Sequence, residues 1–411
     1  MRQLIHNCMI FDGTGSASVA GAVLIEDDRI AAILPADAAI ADIEADSVID
    51  GQGATLMPGM VDAHTHLTWG SSVEKIYHQF ILPPEELKVA AWRNARVLLD
   101  HGFTSLYSAG ALSDRIEPEL ARAIEAGETA GPRFIPSTIE RSPEGGEGVE
   151  TGDVFNGRGP DAMRAFVAYC AAEGVKSLKL VISGEDALKP GTSGDVLYTD
   201  EEMEAAGKAA REAGLWIATH AYASRAITLA LEAGARVLYH CSYADDAAID
   251  AMAAKKDEIF YAPGPGVSVG ALEANPPPHI DMSAMKASAA ERIALEKALV
   301  PKLRARGVRI LIGGDYGFPF NPNGRNARDL EHFVTLYGYT PAEALSAATM
   351  LGGQLMGLDV GQVKPGYLAD LLVVAGDPTS DVRILQDRDN IKMIMLGGRM
   401  HKSPAPQPVA A

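Results

Sequence analysis

The residues best suited to chemistry in this chain lie in Met60-Val61-Asp62-Ala63-His64-Thr65-His66-Leu67. Side chains two apart on a strand share a face. A strand here therefore points His64 and His66 the same way, spaced to hold one metal ion. An HxH pair alone is a weak signal, and its position near the end of an apolar run strengthens it. Other polar residues end or interrupt further apolar runs. His220 ends Trp216-Ile217-Ala218-Thr219-His220, His240 ends Val237-Leu238-Tyr239-His240, and Asp315 follows Ile310-Leu311-Ile312-Gly313-Gly314. Lys179 interrupts Ser177-Leu178-Lys179-Leu180-Val181-Ile182. Singly, each has a plain structural explanation: a hydrogen-bonded packing His, an Asp in a turn, a Lys that snorkels.

Together they point elsewhere. Four neutral imidazoles and a carboxylate suit a borderline metal such as zinc. A buried lysine has its charged form disfavoured, which frees a nucleophilic amine. Such an amine can take up carbon dioxide as a carbamate, an oxygen ligand able to bridge two metals. A pH-sensing role for the histidines is a poorer fit, because a Lys and an Asp beside them make good ligand company and a poor switch.

The elements that must position these groups follow from periodicity. Eight strand candidates span Met60–Leu67, Thr104–Ala109, Arg133–Ser137, Ser177–Ile182, Leu215–Ala221, Arg236–Cys241, Glu258–Ala262 and Val308–Gly313. Amphipathic segments separate them, at Glu85–His101, Glu117–Glu128, Pro160–Glu173, Asp200–Ala213 and Ser283–Arg306. Several end at a Gly, and Thr199-Asp200-Glu201-Glu202 and Thr340-Pro341-Ala342-Glu343 are helix starts. Eight strand–helix repeats favour an α/β fold of the (β/α)8 TIM-barrel type over an open doubly wound sheet, which is the alternative. The six polar residues then gather at one rim. Long connections at 139–159 and 263–282 would lie at that rim, as active-site loops or as plain decoration.

Both chain ends read as short strands with turns, among them Ala22–Glu26 and Arg29–Ile33 around Asp27-Asp28, Ala369–Val374 and Ile391–Leu396. The expected organisation is a small β-sandwich domain from 1–57 plus 358–402, a barrel over 58–357, and a disordered tail at 403–411.

Composition narrows the function. The 411 residues carry 36 basic and 54 acidic side chains, a net charge of −18. This acidity argues against nucleic-acid binding and against docking on anionic membrane. No run approaches the length of a membrane span. Three scattered cysteines and an N-terminus without a signal-peptide pattern read as a cytoplasmic, reduced protein. Gly110, Gly145, Gly146 and Gly148 form no nucleotide-binding strand–GxGxxG–helix unit.

Pro58-Gly59-Met60-Val61-Asp62-Ala63-His64-Thr65-His66 resembles the PGxxDxHxH pattern of the amidohydrolase superfamily. Val363–Val374 and Gly376-Asp377-Pro378 resemble its returning β-domain. Within the superfamily the chain is similar to the imidazolonepropionase-like and prolidase-like group, through Leu178-Lys179-Leu180, Thr219-His220-Ala221-Tyr222 and Thr340–Thr349. The resemblance implies a binuclear centre holding two Zn2+ or other divalent ions. His64, His66 and Asp315 would take one, His220 and His240 the other, and Lys179, N6-carboxylated, would bridge them. It also implies a homo-oligomer and a small-molecule substrate: a dipeptide, N-acyl amino acid or aryl amide.

A hydroxide bridging the metals would attack the amide carbonyl, with Asp315 as general base and acid. A lactone, carbamate, urea or phosphotriester is the alternative substrate, and a non-catalytic scaffold a more distant one. Tyr222, Tyr107 and Tyr316 are candidate substrate contacts, whereas Arg225 and Arg325 read as surface residues. One departure stands out: the group's Gly-Gly-His-Gly loop reads Gly145-Gly146-Glu147-Gly148, which puts substrate identity, not the metal site, in question.

Overall fold

Turn chemistry and alternation shape the N-terminal region into strands β1 (Arg2–Ile10), β2 (Val19–Glu26), β3 (Arg29–Pro35), β4 (Ser47–Asp50) and β5 (Thr55–Pro58). The computed structural model describes residues 1–70, 83–143, 156–185 and 191–404. Glu147, with Gly145, Gly146 and Gly148, and residues 405–411 of the expected tail lie outside the described residues. The β2–β3 hairpin closes at Glu26 opposite Arg29. Asp27 sits there at φ +55°, a conformation that Asp tolerates better than most residues.

All eight strand candidates of the middle region form strands. They are β6 (Met60–Thr65), β7 (Phe103–Ser108), β8 (Arg133–Ile135), β9 (Ser177–Val181), β10 (Trp216–Ala223), β11 (Val237–Tyr243), β12 (Phe260–Ala262) and β13 (Arg309–Ile310). Their pairings are parallel throughout, in the orders β6-β7-β8 and β13-β12-β11-β10-β9. Every residue of β6, β7 and β9 is buried. That is expected of a parallel sheet covered on both faces. Backbone hydrogen bonds also link the two sheets through residues that lie past β8 and β13. Arg141 N–H reaches Lys179 O (2.9 Å), Val181 N–H reaches Arg141 O (3.0 Å), and Ala63 N–H reaches Ile312 O (3.2 Å).

Helices follow the strands: α1 (Pro84–Asp100), α2 (Ile116–Glu125), α3 (Pro160–Ala172), α4 (Asp200–Ala213), α5 (Ser224–Ala233) and α6 (Asp246–Ala254). After β12 come α7 (Pro265–Glu273) and α8 (Ser283–Ala305). After β13 come α9 (Arg328–Tyr337), α10 (Pro341–Ala348) and α11 (Met350–Met356). Thr199 with Glu202, and Thr340 with Glu343, form complete capping boxes.

Two expectations change in detail. The connection at 263–282 contains helix α7. Its Gly-Pro-Gly start reads as a turn in sequence, yet Pro265 occupies the first helical turn, where its fixed φ is favourable. Gly266 lets the helix approach closely, since a Cβ there would lie 2.6 Å from Gly314 O. The eighth strand is also shorter than Val308–Gly313, because the chain turns away through Gly313 and Gly314 toward Asp315.

The C-terminal strands β14 (Leu371–Val374), β15 (Ile391–Leu396) and β16 (Arg399–Lys402) complete a mixed sheet with the N-terminal ones. Its order is β16-β15-β14-β5-β1-β2-β3, with β4 also paired to β1. Ile5, Val23, Ile25, Leu56, Val373 and Met393 pack on one face, and Leu4, Ala22 and Leu24 on the other. Arg133, opening β8, grips Asp370 with two hydrogen bonds (2.6 and 3.0 Å), tying this sheet to the parallel one. Cys8, Cys170 and Cys241 are free and buried. Among the described residues no helix is long and apolar enough to cross a membrane.

Candidate metal centre

The end of β6 delivers His64 and His66 side by side, both buried. His64 Nε2 lies 3.6 Å and His66 Nε2 3.1 Å from Asp315 Oδ1. The rings are clamped: His64 stacks on Tyr239 and His66 on Trp69, each with centroids 3.9 Å apart. Asp62 braces the strand end, accepting from His64 N–H (2.9 Å) and Asn326 Nδ2 (2.6 Å). Asp315 arrives from the other side at φ +58°, a left-handed conformation that few non-glycine residues other than Asn and Asp adopt. Asn321 Nδ2 holds it by donating to the carbonyls of Gly314 and Asp315, both at 3.0 Å.

The donor chemistry tests whether a metal fits. His66 Nδ1 lies 2.9 Å from Gly110 O, which can only accept, so Nδ1 carries the proton. In the neutral ring, Nε2 then presents a lone pair to a carboxylate oxygen. Asp315 Oδ1 is itself buried with no hydrogen-bond partner among the described residues. A cation between them satisfies both, and the ligand atoms of His64, His66 and Asp315 all lie within 4.8 Å of one another. Burial disfavours charge on His66, but Asp315 and then Glu140 outweigh it and raise its pKa. The same negative field attracts a metal ion.

His220 and His240 extend the cluster. Ring centroids are 4.7 Å apart for His220–His240 and 5.2 Å for His64–His240. His240 also has a left-handed backbone, at φ +69°, and Tyr261 Oη fixes it by donating to its carbonyl at 2.7 Å. Burial, reinforced by neighbouring cations, holds His64 and His240 well below the usual imidazole pKa, and burial lowers His220 to about 4. All three are therefore neutral, the form that binds metals. Lys179 projects from β9 and is buried. Its Nζ donates to Ala109 O (2.7 Å), lies 3.5 Å from Glu140 Oε2, and is close enough to lower the pKa of His64, His220 and His240.

A model of the amidohydrolase family matches residues 55–401. The chain belongs to the amidohydrolase family. It is an enzyme of the hydrolase class. It is 26% identical to an ochratoxinase of Aspergillus niger, over 98% of this chain and 87% of the relative. It is 25% identical to an imidazolonepropionase of Ectopseudomonas mendocina, over 90% of each. It shares its fold with a solved Xaa-Pro dipeptidase holding methionine in its active site. The TM-score is 0.87 at 23% identity, covering 98% of this chain and all (100%) of the other.

The structure of this amidohydrolase sorts the tyrosines. Tyr222 stands against the histidines, stacked on His240 and edge-on to His220 with both centroid distances 4.8 Å. Tyr316 instead donates to Asp329 Oδ1 (2.9 Å), and Asp329 Oδ2 accepts from Gly313 N–H (3.1 Å), so both brace the turn before Asp315. Tyr107 bonds Ser177 Oγ (2.8 Å) and stacks with Trp216. These partners open β9 and β10, so the described contacts of Tyr107 lie at the opposite end of the strands from the histidines. Arg225 pairs with the exposed Asp200, as expected of a surface residue.

Three residues that sequence reasoning passed over line the amidohydrolase site: Glu140, Glu185 and Arg292. Glu140 lies against Lys179, with Oε1 3.6 Å from His66 Nδ1. Arg292 had a legible signal. It falls on the buried stripe of α8 with Met285, Ala289, Glu296, Leu299 and Leu303, where a charged residue needs a reason.

Proposed function

We propose that this chain is a binuclear zinc amidohydrolase that cleaves an amide bond in a dipeptide, N-acyl amino acid or aryl amide. The observation that carries the reading is the 3.1 Å approach of His66 Nε2 to Asp315 Oδ1, with His66 Nδ1 already committed to Gly110 O. His64, His66 and Asp315 would hold one ion, and His220 and His240 the other. Lys179, carboxylated, would lie between them. Its neighbours among the described residues fit that role: Ala109 O accepts from Nζ, and the acid paired with it is Glu140, a group that could move aside.

When bound, the ions supply a hydroxide nucleophile at neutral pH and polarise the scissile carbonyl. The chain does the rest. Asp315 accepts the nucleophile's proton and returns it to the leaving amine, which cannot depart as an anion. Its left-handed backbone and the Asn321 bonds to the carbonyls of Gly314 and Asp315 fix the turn that carries the carboxylate. Tyr222, two residues beyond His220 on β10, offers its hydroxyl to the non-reacting part of the substrate. His220 and His240, kept neutral by burial, each keep a lone pair that a metal could take.

The reading includes an architecture. The two parallel sheets, joined by the Arg141–Lys179 and Ala63–Ile312 hydrogen bonds, form one closed (β/α)8 barrel over 58–357. The strands of 1–57 and 358–402 form a separate small β-domain of sandwich type. Ochratoxinase, imidazolonepropionase and Xaa-Pro dipeptidase relatives support carbon–nitrogen bond hydrolysis. The test is metal analysis of the purified protein, with turnover on panels of dipeptides, N-acyl amino acids, aryl amides, lactones, carbamates, ureas and phosphotriesters. About two ions per chain and cleavage confined to amides are expected. A metal-free yet fully active protein, or turnover of phosphotriesters alone, would overturn the proposal.

A further inference from the structure

Around the Tyr222 hydroxyl lies a buried charge cluster whose other two members, Arg292 and Glu185, the proposed chemistry does not use. Arg292 Nη1 donates to Glu185 Oε1 (2.6 Å) and to Tyr222 Oη (2.7 Å). Tyr222 Oη in turn donates to Glu185 Oε2 (2.8 Å). One carboxylate thus receives two donors, one on each oxygen, beside a ring stacked on His240. The Arg292 side chain is 4% exposed and that of Glu185 12%, so Glu185 is the member nearer solvent. Tyr222 is fixed by its own strand, since its N–H donates to Ser183 Oγ (2.7 Å). Arg292 is fixed by α8, which is anchored one turn on, where Ser242 and Tyr337 donate to Glu296.

We propose that Glu185 is an internal stand-in for a substrate carboxylate, occupying the Arg292–Tyr222 donors until a carboxylate-bearing ligand displaces it. This deepens the amidohydrolase reading above and rests on it for the word substrate. The physical case is charge exchange. Emptying the cluster would leave a guanidinium buried and uncompensated, which is strongly unfavourable. A ligand with its own carboxylate replaces one anion by another and releases Glu185 to solvent, so the buried charge count is unchanged. A neutral ligand cannot make that exchange. The cluster therefore favours amides whose non-reacting half ends in a carboxylate, such as N-acyl amino acids, over their amidated counterparts, which bind without displacing Glu185. Arg292 and Tyr222 are the receiving pair, and Glu185 sets the threshold for entry.

The test is calorimetric binding of N-acetyl-L-leucine and of N-acetyl-L-leucinamide to the metal-loaded protein. Glu185→Gln should bind the acid on the order of tenfold tighter than wild type, because the competing anion is gone. Binding of the amide should not change. Glu185→Asp, a carboxylate too short to span both donors, should shift in the same direction by less, and it provides the readout if the Gln variant does not fold. Arg292→Met should weaken the acid and spare the amide. Equal effects on acid and amide, no tightening in either Glu185 variant, or no binding of the acid to any form would overturn the proposal. If the binding pattern holds but no amide is cleaved, the hydrolase reading fails and the exchange stands. If amides are cleaved and the Glu185 variants bind like wild type, the reverse is true.

Discussion

His66 Nε2 and Asp315 Oδ1 face each other at 3.1 Å, and the hydrogen bond from His66 Nδ1 to Gly110 O leaves the neutral ring no proton to place between them. In the neutral ring these are two acceptors, which repel unless positive charge intervenes as a metal ion or a second ring proton, and the raised pKa of His66 shows that Asp315 and Glu140 draw such charge there. The sequence separates these residues widely, and the left-handed backbone at Asp315 is part of what brings them together.

Metal removal should therefore destabilise the fold as well as abolish turnover. A ligand present at a thousand times its Kd stabilises by about 4 kcal/mol. Chelation should lower the thermal midpoint, and zinc should restore it. His66→Ala should have a lower midpoint that zinc no longer raises as far. Differential scanning calorimetry with metal analysis checks this, and a midpoint indifferent to chelator counts against the site.

Asp315→Asn should lose activity by roughly 10²- to 10⁴-fold, the usual contribution of a positioned proton carrier. Its circular dichroism should match wild type. Turnover on a substrate found active, measured with metal content, separates proton transfer from ligand loss. Near-wild-type turnover with metal bound would make the assignment of Asp315 wrong.

Gly110 is a position where the site tolerates no side chain. Its φ is +114°, and a Cβ would lie 2.2 Å from Glu140 Cγ. Gly110→Ala should cost on the order of 1–3 kcal/mol and displace the carbonyl that orients His66. Activity should fall more than stability, as read by parallel turnover and denaturant melts.

Stability should also depend on pH through Glu296, whose carboxyl is raised by burial from 4.5 to about 7. A raised acid contributes stability below its unfolded pKa and loses it as pH rises through the folded value. Wild type should lose on the order of 3 kcal/mol from this group between pH 4.5 and 7. Glu296→Gln, keeping the Ser242 and Tyr337 bonds, should show a shallower decline. Urea melts across that range give the comparison, and parallel slopes would refute it.

Much of this was readable in the sequence because it depends on local rules. Period-two spacing put His64 and His66 on one face, and capping boxes marked α4 and α10. The eight apolar runs marked β6 to β13. What escaped depends on contacts between distant segments. Glu140 follows a short strand with no periodicity of its own, and only its approach to Lys179 gives it meaning. Tyr107 and Tyr222 both sit near strand ends in sequence, yet one hydroxyl reaches Ser177 and the other Glu185. Side-chain direction, which strand position alone does not fix, separates them. Helix α7 was hidden by a Gly-Pro-Gly run that signals a turn equally well.

The pairing of β5 with β14 has a bearing on how the polypeptide is made. Thr55 Oγ1 donates to Gly376 O across 321 residues of chain. At typical ribosomal rates that interval is about 15 to 60 s. During it, the meander of β1 to β3 has emerged with Ile5, Val23 and Ile25 uncovered and one sheet edge open. Such a nascent edge invites intermolecular pairing. Slowed or interrupted translation should therefore favour aggregation, and chaperone capture would be strongest before β14 is synthesised.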